Sequence, residues 1–289
     1  MPTLRQRVVS SVVRRYPFYS GCGAVANHPW VRAIAGASDE TVWARVAGGQ
    51  VLTPLDDLVG RAAFYAGELD RKITWICRKL IRRGDTVLDI GANIGMVTVH
   101  MASLVGRSGV VHAFEPNPTL VGFLRRTLDR NCLPQVKLHE FALGPAESSL
   151  ELRVPRSNAG EGSLVRNIDA KDCLSVQVRV QTLDDVGKQQ DIKRVSLLKI
   201  DVEGFEASVF RGALSFLERV RPEAILFEVN ERISGRVSDA PVFRILLDFG
   251  YTFRSIPRSM VAMRLPPFDP VRQPLPAVGH DFLAIAPRV

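Results

Sequence analysis

Four carboxylates stand where apolar runs stop: Asp89 in VLDIGANIG, Glu115 in HAFEPNP, Asp201 in LLKIDVEGFE and Glu228 in AILFEV. Ligands of open α/β sheets bind outside the carboxyl ends of the strands, so acids at such positions are placed to meet one. The turn after Asp89 departs from the dinucleotide fingerprint G-x-G-x-x-G. Counted from Gly91, Asn93 takes the second glycine's place and Met96 the third's, while Gly95 is out of register. Met96 and Val97 also exclude the Lys and hydroxyl of a P-loop. The turn Gly91, Ala92, Asn93, Gly95 is therefore tight but lacks the spacing that cradles a pyrophosphate. Asp89 lies two residues before Gly91, where it would repel a phosphate and suit an ammonium group. Glu115 can accept both hydroxyls of a ribose, the alternative being a cap on the helix after Pro116. An ammonium-tolerant turn and a ribose acid, without a phosphate cradle, point to S-adenosylmethionine, which joins an amino acid, a sulfonium and an adenosine.

A second acidic group follows. In KIDVEGFE, Lys199 and Asp201 are two apart and share a side, as does Glu203 if the strand continues. Asp201 is the first choice to orient or deprotonate an acceptor hydroxyl. Glu206 suits the N-terminus of the next helix, where anions are favoured. Glu228 and Asn230 are again two apart. Together with Asp201 they offer oxygen ligands of the kind magnesium prefers, but nothing requires a metal, and a metal-free polar cluster is the favoured reading. His100, His112 and His139 fall inside regular elements and read as structural. His280, beside Asp281 and the last strand, is the one histidine kept as a candidate base.

The elements that must position these residues alternate. Residues 42–54 read as a β-hairpin with a primed turn at Gly48-Gly49. Helix 69–82 precedes strand 86–90, helix 94–105, strand 109–115, a helix through Leu124 and Leu128, and strand 136–142. Alternation then breaks. Segments 149–154 and 174–180 flank the polar loop 157–163 and read as an inserted β-ribbon with a mobile loop. Strand 196–201, a short helix ending near Val220, strand 224–229, helix 241–249 and strands 251–256 and 282–286 complete the pattern. The parallel strands are near-continuous apolar runs, as expected of a sheet covered on both faces. The expectation is a Rossmann-like, doubly wound α/β domain over residues 41–289, preceded by a basic helical extension, residues 1–40.

Composition narrows the class. Apolar residues make up 46% of the 289, enough for a sizeable core, and the net charge is +8 without a dense basic run. The four cysteines are dispersed, with no C-x-x-C pair, which fits a reducing, cytoplasmic setting rather than a zinc site. No apolar run has transmembrane length. Leu4, Val8 and Val12 share a face of a helix, with Val9, Val13 and Tyr16 beside it and arginines around it. That helix could lie on a membrane surface, giving peripheral contact through residues 4–16, or dock on its own domain.

VLDIGANIG, HAFEPNP, EFALG and LLKIDVEGFE occur in that order, and the chain resembles the FkbM-like methyltransferases from about Phe64 to Asn230, with a weaker tail to Pro287. The resemblance implies a class I S-adenosylmethionine-dependent fold. The turn Gly91–Gly95 would hold the methionine end with Asp89 beneath it, Glu115 the ribose, and Phe141 with Ala142 the adenine. Phe141 could equally be a core aromatic. It further implies O-methylation of a hydroxyl on a sugar, glycan, polyketide or lipid-linked intermediate, with residues 155–173 as an acceptor lid. Nucleic acid is disfavoured as a partner, because no [DNS]-P-P-[YFW] motif follows the fourth strand and no Pro-Cys pair exists. A short-chain dehydrogenase is excluded, since none of Tyr16, Tyr19, Tyr65 or Tyr251 has Lys four residues on. The rival from another class is a non-catalytic cofactor-binding or scaffold protein on the same fold.

Overall fold

The computed structural model describes residues 2–155, 162–164, 173–229, 237–258, 262–275 and 280–287. Asn230, most of the polar loop 157–163 and most of the expected lid 155–173 lie outside them. Three helices lead: α1 (Leu4–Val13), α2 (Cys22–Ala26) and α3 (Pro29–Ala35). Thr3 and Gln6 form a capping box on α1, each side chain closing the other's backbone N–H. The hairpin β1 (Thr41–Val46) and β2 (Gly49–Pro54) follows. Its turn is centred one residue earlier than expected, on Ala47-Gly48, and of the two only Gly48 has positive φ. It is therefore not of the primed type, which needs positive φ at the first central residue. Next come α4 (Leu58–Arg61), a wide π turn over Ala62–Ala66, and α5 (Arg71–Leu80), capped by Asp70.

The alternating part runs β3 (Thr86–Ile90), α6 (Met96–Val105), β4 (Val110–Phe114), α7 (Pro118–Asn131) and β5 (Val136–His139). Asn117 caps α7, and Pro118 fills its first position, where no backbone donor is needed. The expected strand 136–142 is broken: β6 (Ala142–Leu143) leaves the central sheet to pair with Val180 and Gln181. The ribbon is present as β7 (Ser148–Pro155) and β8 (Cys173–Gln181), antiparallel to each other. Then come α8 (Leu183–Gln189), β9 (Leu197–Ile200), α9 (Glu206–Arg211), α10 (Leu214–Arg219) and β10 (Ala224–Val229). The chain continues through α11 (Pro241–Asp248), β11 (Thr252–Ile256), β12 (Pro267–Phe268) and β13 (His280–Ile285).

The central sheet has the order β12-β11-β13-β10-β9-β3-β4-β5. Strands β10, β9, β3, β4 and β5 pair in parallel, and β13 runs antiparallel between β10 and β11. This is the Rossmann-like order of a class I methyltransferase, with β11 and β12 completing the edge beyond the reversed β13. Leu88 and Ile90 of β3 pack toward Phe210, Phe216, Phe243 and Leu246, whereas Val87 packs toward Ile76, Met101 and Val105. Helices therefore cover both faces, as buried parallel strands require. The leading helices and the hairpin form a further layer over α6 and α7, where Val9, Val13, Val42 and Val51 share a cluster with Val99 and Leu120. Leu52 N–H donates to Thr127 Oγ1 (3.0 Å) and Gln50 N–H to Asn131 Oδ1 (2.9 Å), pinning the hairpin to α7. All four cysteines are free thiols.

Candidate active site

A cleft of about 740 Å³ opens at the carboxyl ends of the parallel strands, within the range of small-molecule sites. Its floor is the turn after β3. Gly91 has φ +81°, and a Cβ there would lie 1.9 Å from the Asp201 carbonyl oxygen, so only glycine lets the ends of β3 and β9 approach. The N–H groups of Gly91 and Ala92 both donate to Phe114 O. Asn93 has positive φ and donates its N–H to Glu115 Oε2 at 2.8 Å. Gly95, also left-handed, starts α6 against Leu124, whose Cδ1 would be 2.4 Å from an added Cβ.

Glu115 is buried, lines the cleft, and takes its second backbone donor from Asn117 (2.9 Å to Oε1). Burial pushes its pKa up to about 7, against the pull of those two N–H groups. A carboxylate has about four acceptor sites, so two remain for a ligand. Phe141 and Ala142 also line the cleft. Phe141 meets Phe114 and His139 edge-on as well, so its ring serves both wall and core.

Asp89 is not at the cleft surface. It is fully buried behind the turn, where Thr98 Oγ1 donates to Oδ2 (2.7 Å). Its Oδ1 faces Lys199 Nζ at 3.3 Å without a well-aligned hydrogen bond. Lys199 does reach the cleft. Its ammonium donates to Gly91 O (2.9 Å) and lies 3.8 Å from Asp201 Oδ2. Burial opposes that charge, but Asp89 and Asp201 outweigh it and raise the Lys199 pKa. Thus the ammonium near the turn is the protein's own.

At the far end, β9 stops at Ile200 and Glu203 turns left-handed (φ 52°), so Glu203 does not continue the strand. Asp201 is half exposed over the cleft. Glu206 accepts N–H bonds from Val202 (3.0 Å) and Gly204 (3.3 Å), tying the loop to the start of α9. Glu228 lines the cleft and pairs across the sheet with Asp281.

His280 is not brought to the cleft. It lies buried on the other face of β13, 2.7 Å from Ser255 Oγ and against Phe282. Burial, with Lys72 and Arg258 adding, lowers its pKa. The neighbouring Asp281 takes the cleft-facing position instead, since adjacent strand residues point to opposite faces. Lys72 Nζ holds Asp281 at 2.7 Å and Asp70 at 3.1 Å. Burial outweighs Lys72 and pushes the Asp281 pKa up to about 6. Lys72 and Asp281 carry no motif of their own, whereas Lys199 belongs to KIDVEGFE. A face count on HDF, with Phe282 assigned inward, was the signal for Asp281. Among the structural histidines, His112 Nδ1 meets His139 Nε2 at 3.0 Å, and His100 lies along the cleft wall. Among the described residues, no group of three or more His, Cys, Asp or Glu side chains is arranged to hold a metal ion.

A family model described as the methyltransferase FkbM domain matches residues 89–253. Methyltransferase 1 of Beauveria bassiana is 32% identical over 143 residues, 44% of this chain and 57% of that protein. The hexuronic acid methyltransferase AglP of Haloferax volcanii is 24% identical over 196 residues, 66% of this chain and 76% of that protein. The methyltransferase FkbM of Methylobacillus flagellatus aligns in structure with a TM-score of 0.43 at 15% identity, over 97% of this chain and 59% of that one. The chain thus spans less than two thirds of the Beauveria relative and of the structural neighbour. The matched segment is more than half of the chain and contains the glycine turn, Glu115, Lys199, Asp201 and Glu228: the protein belongs to the FkbM methyltransferase family.

Proposed function

We propose that this methyltransferase transfers the methyl group of S-adenosylmethionine to a hydroxyl of a sugar, glycan, polyketide or lipid-linked small molecule. The observation that carries the reading is Glu115, fixed by two backbone donors at the mouth of the glycine turn with two acceptor sites to spare. The donor set fits the cofactor: Glu115 for the ribose, the turn Gly91–Gly95 for the methionine end, and Phe141 with Ala142 for the adenine. Asp89 acts from behind by holding Lys199 and α6 in place. Bound there, S-adenosylmethionine supplies a methyl already activated by the positive sulfur.

The protein's own work is then alignment and proton removal. An acceptor oxygen must face the methyl in line, with water kept out. Asp201 and Glu228, at the ends of adjacent strands, would orient or deprotonate that hydroxyl. Asp281, cleft-facing and clamped by Lys72, is a further base for the same proton, in the place first given to His280. Gly162 and Leu164, two of the described residues within 155–173, line the cleft, which supports a lid role for that segment. The name of the Haloferax relative supports a sugar acceptor.

The test is calorimetry with S-adenosylmethionine, followed by a methyl-transfer screen on hydroxyl acceptors read by mass shift. Binding with turnover on a hydroxyl is expected. Absence of binding overturns the cofactor site, and binding without turnover on any hydroxyl overturns the O-methylation reading.

A further inference from the structure

The leading helices carry more apolar surface than their packing uses. On α1, Val9 and Val13 point into the core, whereas Leu4, Val8 and Val12 point out. On α3, Ala35 is buried and Val31 packs beside it, whereas Trp30 and Ile34 point out. Both helices bury their inner sides in the same cluster and touch each other, so their backs form one outer surface. The five outward side chains are between 55% and 78% exposed. Elsewhere among the described residues, only Val271 is as exposed among large apolar side chains. Single exposed apolar residues are ordinary, but five on two touching helices mark an interaction face.

Charge selects the partner. The first 38 residues hold five arginines and no acidic residue. Arg14 is turned inward onto the carbonyls of Arg45, Ala63 and Phe64. Arg5, Arg7, Arg15 and Arg32 remain exposed around the apolar stripes. Aliphatic side chains and one tryptophan on the backs of two helices whose only charged residues are arginines match an anionic lipid surface. Such a surface accepts apolar groups without a complementary groove, places Trp at the headgroup level and attracts the cations. Arginine stems can lie along the acyl boundary while their heads stay in the phosphates.

We infer that the backs of α1 and α3 seat this protein on an anionic membrane surface. The neighbouring α2 contributes Gly23 and Ala24 to the cleft wall, so the seated protein holds its cleft beside the headgroups. That position suits an acceptor carried on a lipid, and this last clause alone rests on the function proposed above.

The experiment is co-sedimentation of the full chain with vesicles, without cofactor or acceptor, so its outcome is independent of the methyl-transfer reading. Binding is expected to phosphatidylcholine vesicles containing about one-third phosphatidylglycerol at low salt, and to fall about tenfold or more with phosphatidylcholine alone or at high salt. Tryptophan emission should shift to the blue on binding, and Trp30→Phe should remove most of the shift. Val8→Asp and Trp30→Ser should each cut partitioning about tenfold while leaving the thermal midpoint and S-adenosylmethionine binding unchanged. Failure to bind, equal binding to neutral vesicles, or binding that survives both substitutions overturns the proposal. So does a wild-type dimer in light scattering that Val8→Asp returns to monomer, which would assign the face to a second copy.

Discussion

Glu115 carries the sharpest expectation at the scale of single residues. Its folded pKa, about 7, is raised above the ordinary carboxylate value by burial. The sign follows: the neutral acid is the form the fold prefers, so stability is fully present below the unfolded pKa. It declines as pH rises toward 7, by up to roughly 3 kcal/mol. With the ribose seated as proposed, its hydroxyls would donate to the ionised form, and cofactor binding would release this proton. S-adenosylmethionine affinity should rise by up to about tenfold per pH unit below 7 and level off above it, as titration calorimetry in buffers of different ionisation enthalpy will show. Glu115→Gln should remove that dependence and weaken binding by about tenfold or more. Lys199 sets a second expectation. Lys199→Met leaves Asp89 buried without its counter-charge, which should cost about 3–5 kcal/mol in denaturant unfolding. Adding Asp89→Asn should recover part of that loss, a non-additivity measurable in a double-mutant cycle. The types and spacing of Asp89, Glu115 and Asp201 were legible in the sequence. The facing of Asp89 was not, because its strand is buried on both sides and offers no polar face to read.

At the scale of elements, the approach of β3 to β9 makes Gly91 and Gly204 a matched pair. Both have positive φ, but a Cβ on Gly91 strikes the Asp201 carbonyl, while nothing lies within 4 Å of one on Gly204. Gly204→Ala should cost only the left-handed backbone penalty, about 1–2 kcal/mol. Gly91→Ala should cost distinctly more and abolish cofactor binding, which thermal denaturation and calorimetry will separate. The apolar runs of β3, β4, β9 and β10 could be read from the chain because both faces of each are covered. Three features could not. The break at Glu140-Phe141 depends on Ala142 and Leu143 finding β8, a tertiary pairing. The turn of the hairpin shifted by one residue because Gly49 is taken up by pairing with Val46. His280 and Asp281 exchanged roles because a strand's parity is set by its neighbours, here β10 and β11.

On the scale of the molecule, charge is unevenly shared. The chain is +8 overall, yet seven of the described carboxylates line the cleft, Asp201, Glu203, Glu228 and Asp281 among them, against the three cations Lys72, Lys199 and Arg258. Such a field disfavours a carboxylated acceptor. A neutral glycoside should therefore exceed the matching uronate in kcat/KM by about tenfold at low salt, with the gap narrowing as salt is added. Equal rates would show that the acceptor does not sense these carboxylates. Among the described residues no helix is long and apolar enough to cross a membrane.

The place of β13 has a consequence in time. It is the last described strand in the sequence, yet it lies inside the sheet, between β10 and β11. Until residues 280–285 insert, β11 and β12 have no hydrogen-bonded link to the parallel strands, and Lys72 waits 209 residues for Asp281. Pairings this remote in sequence are slow, because loop closure precedes any gain from contact. The nascent chain should therefore assemble the Glu115 side of the cleft first and acquire the Asp281 side late, leaving an interval in which a bare strand edge needs protection from aggregation.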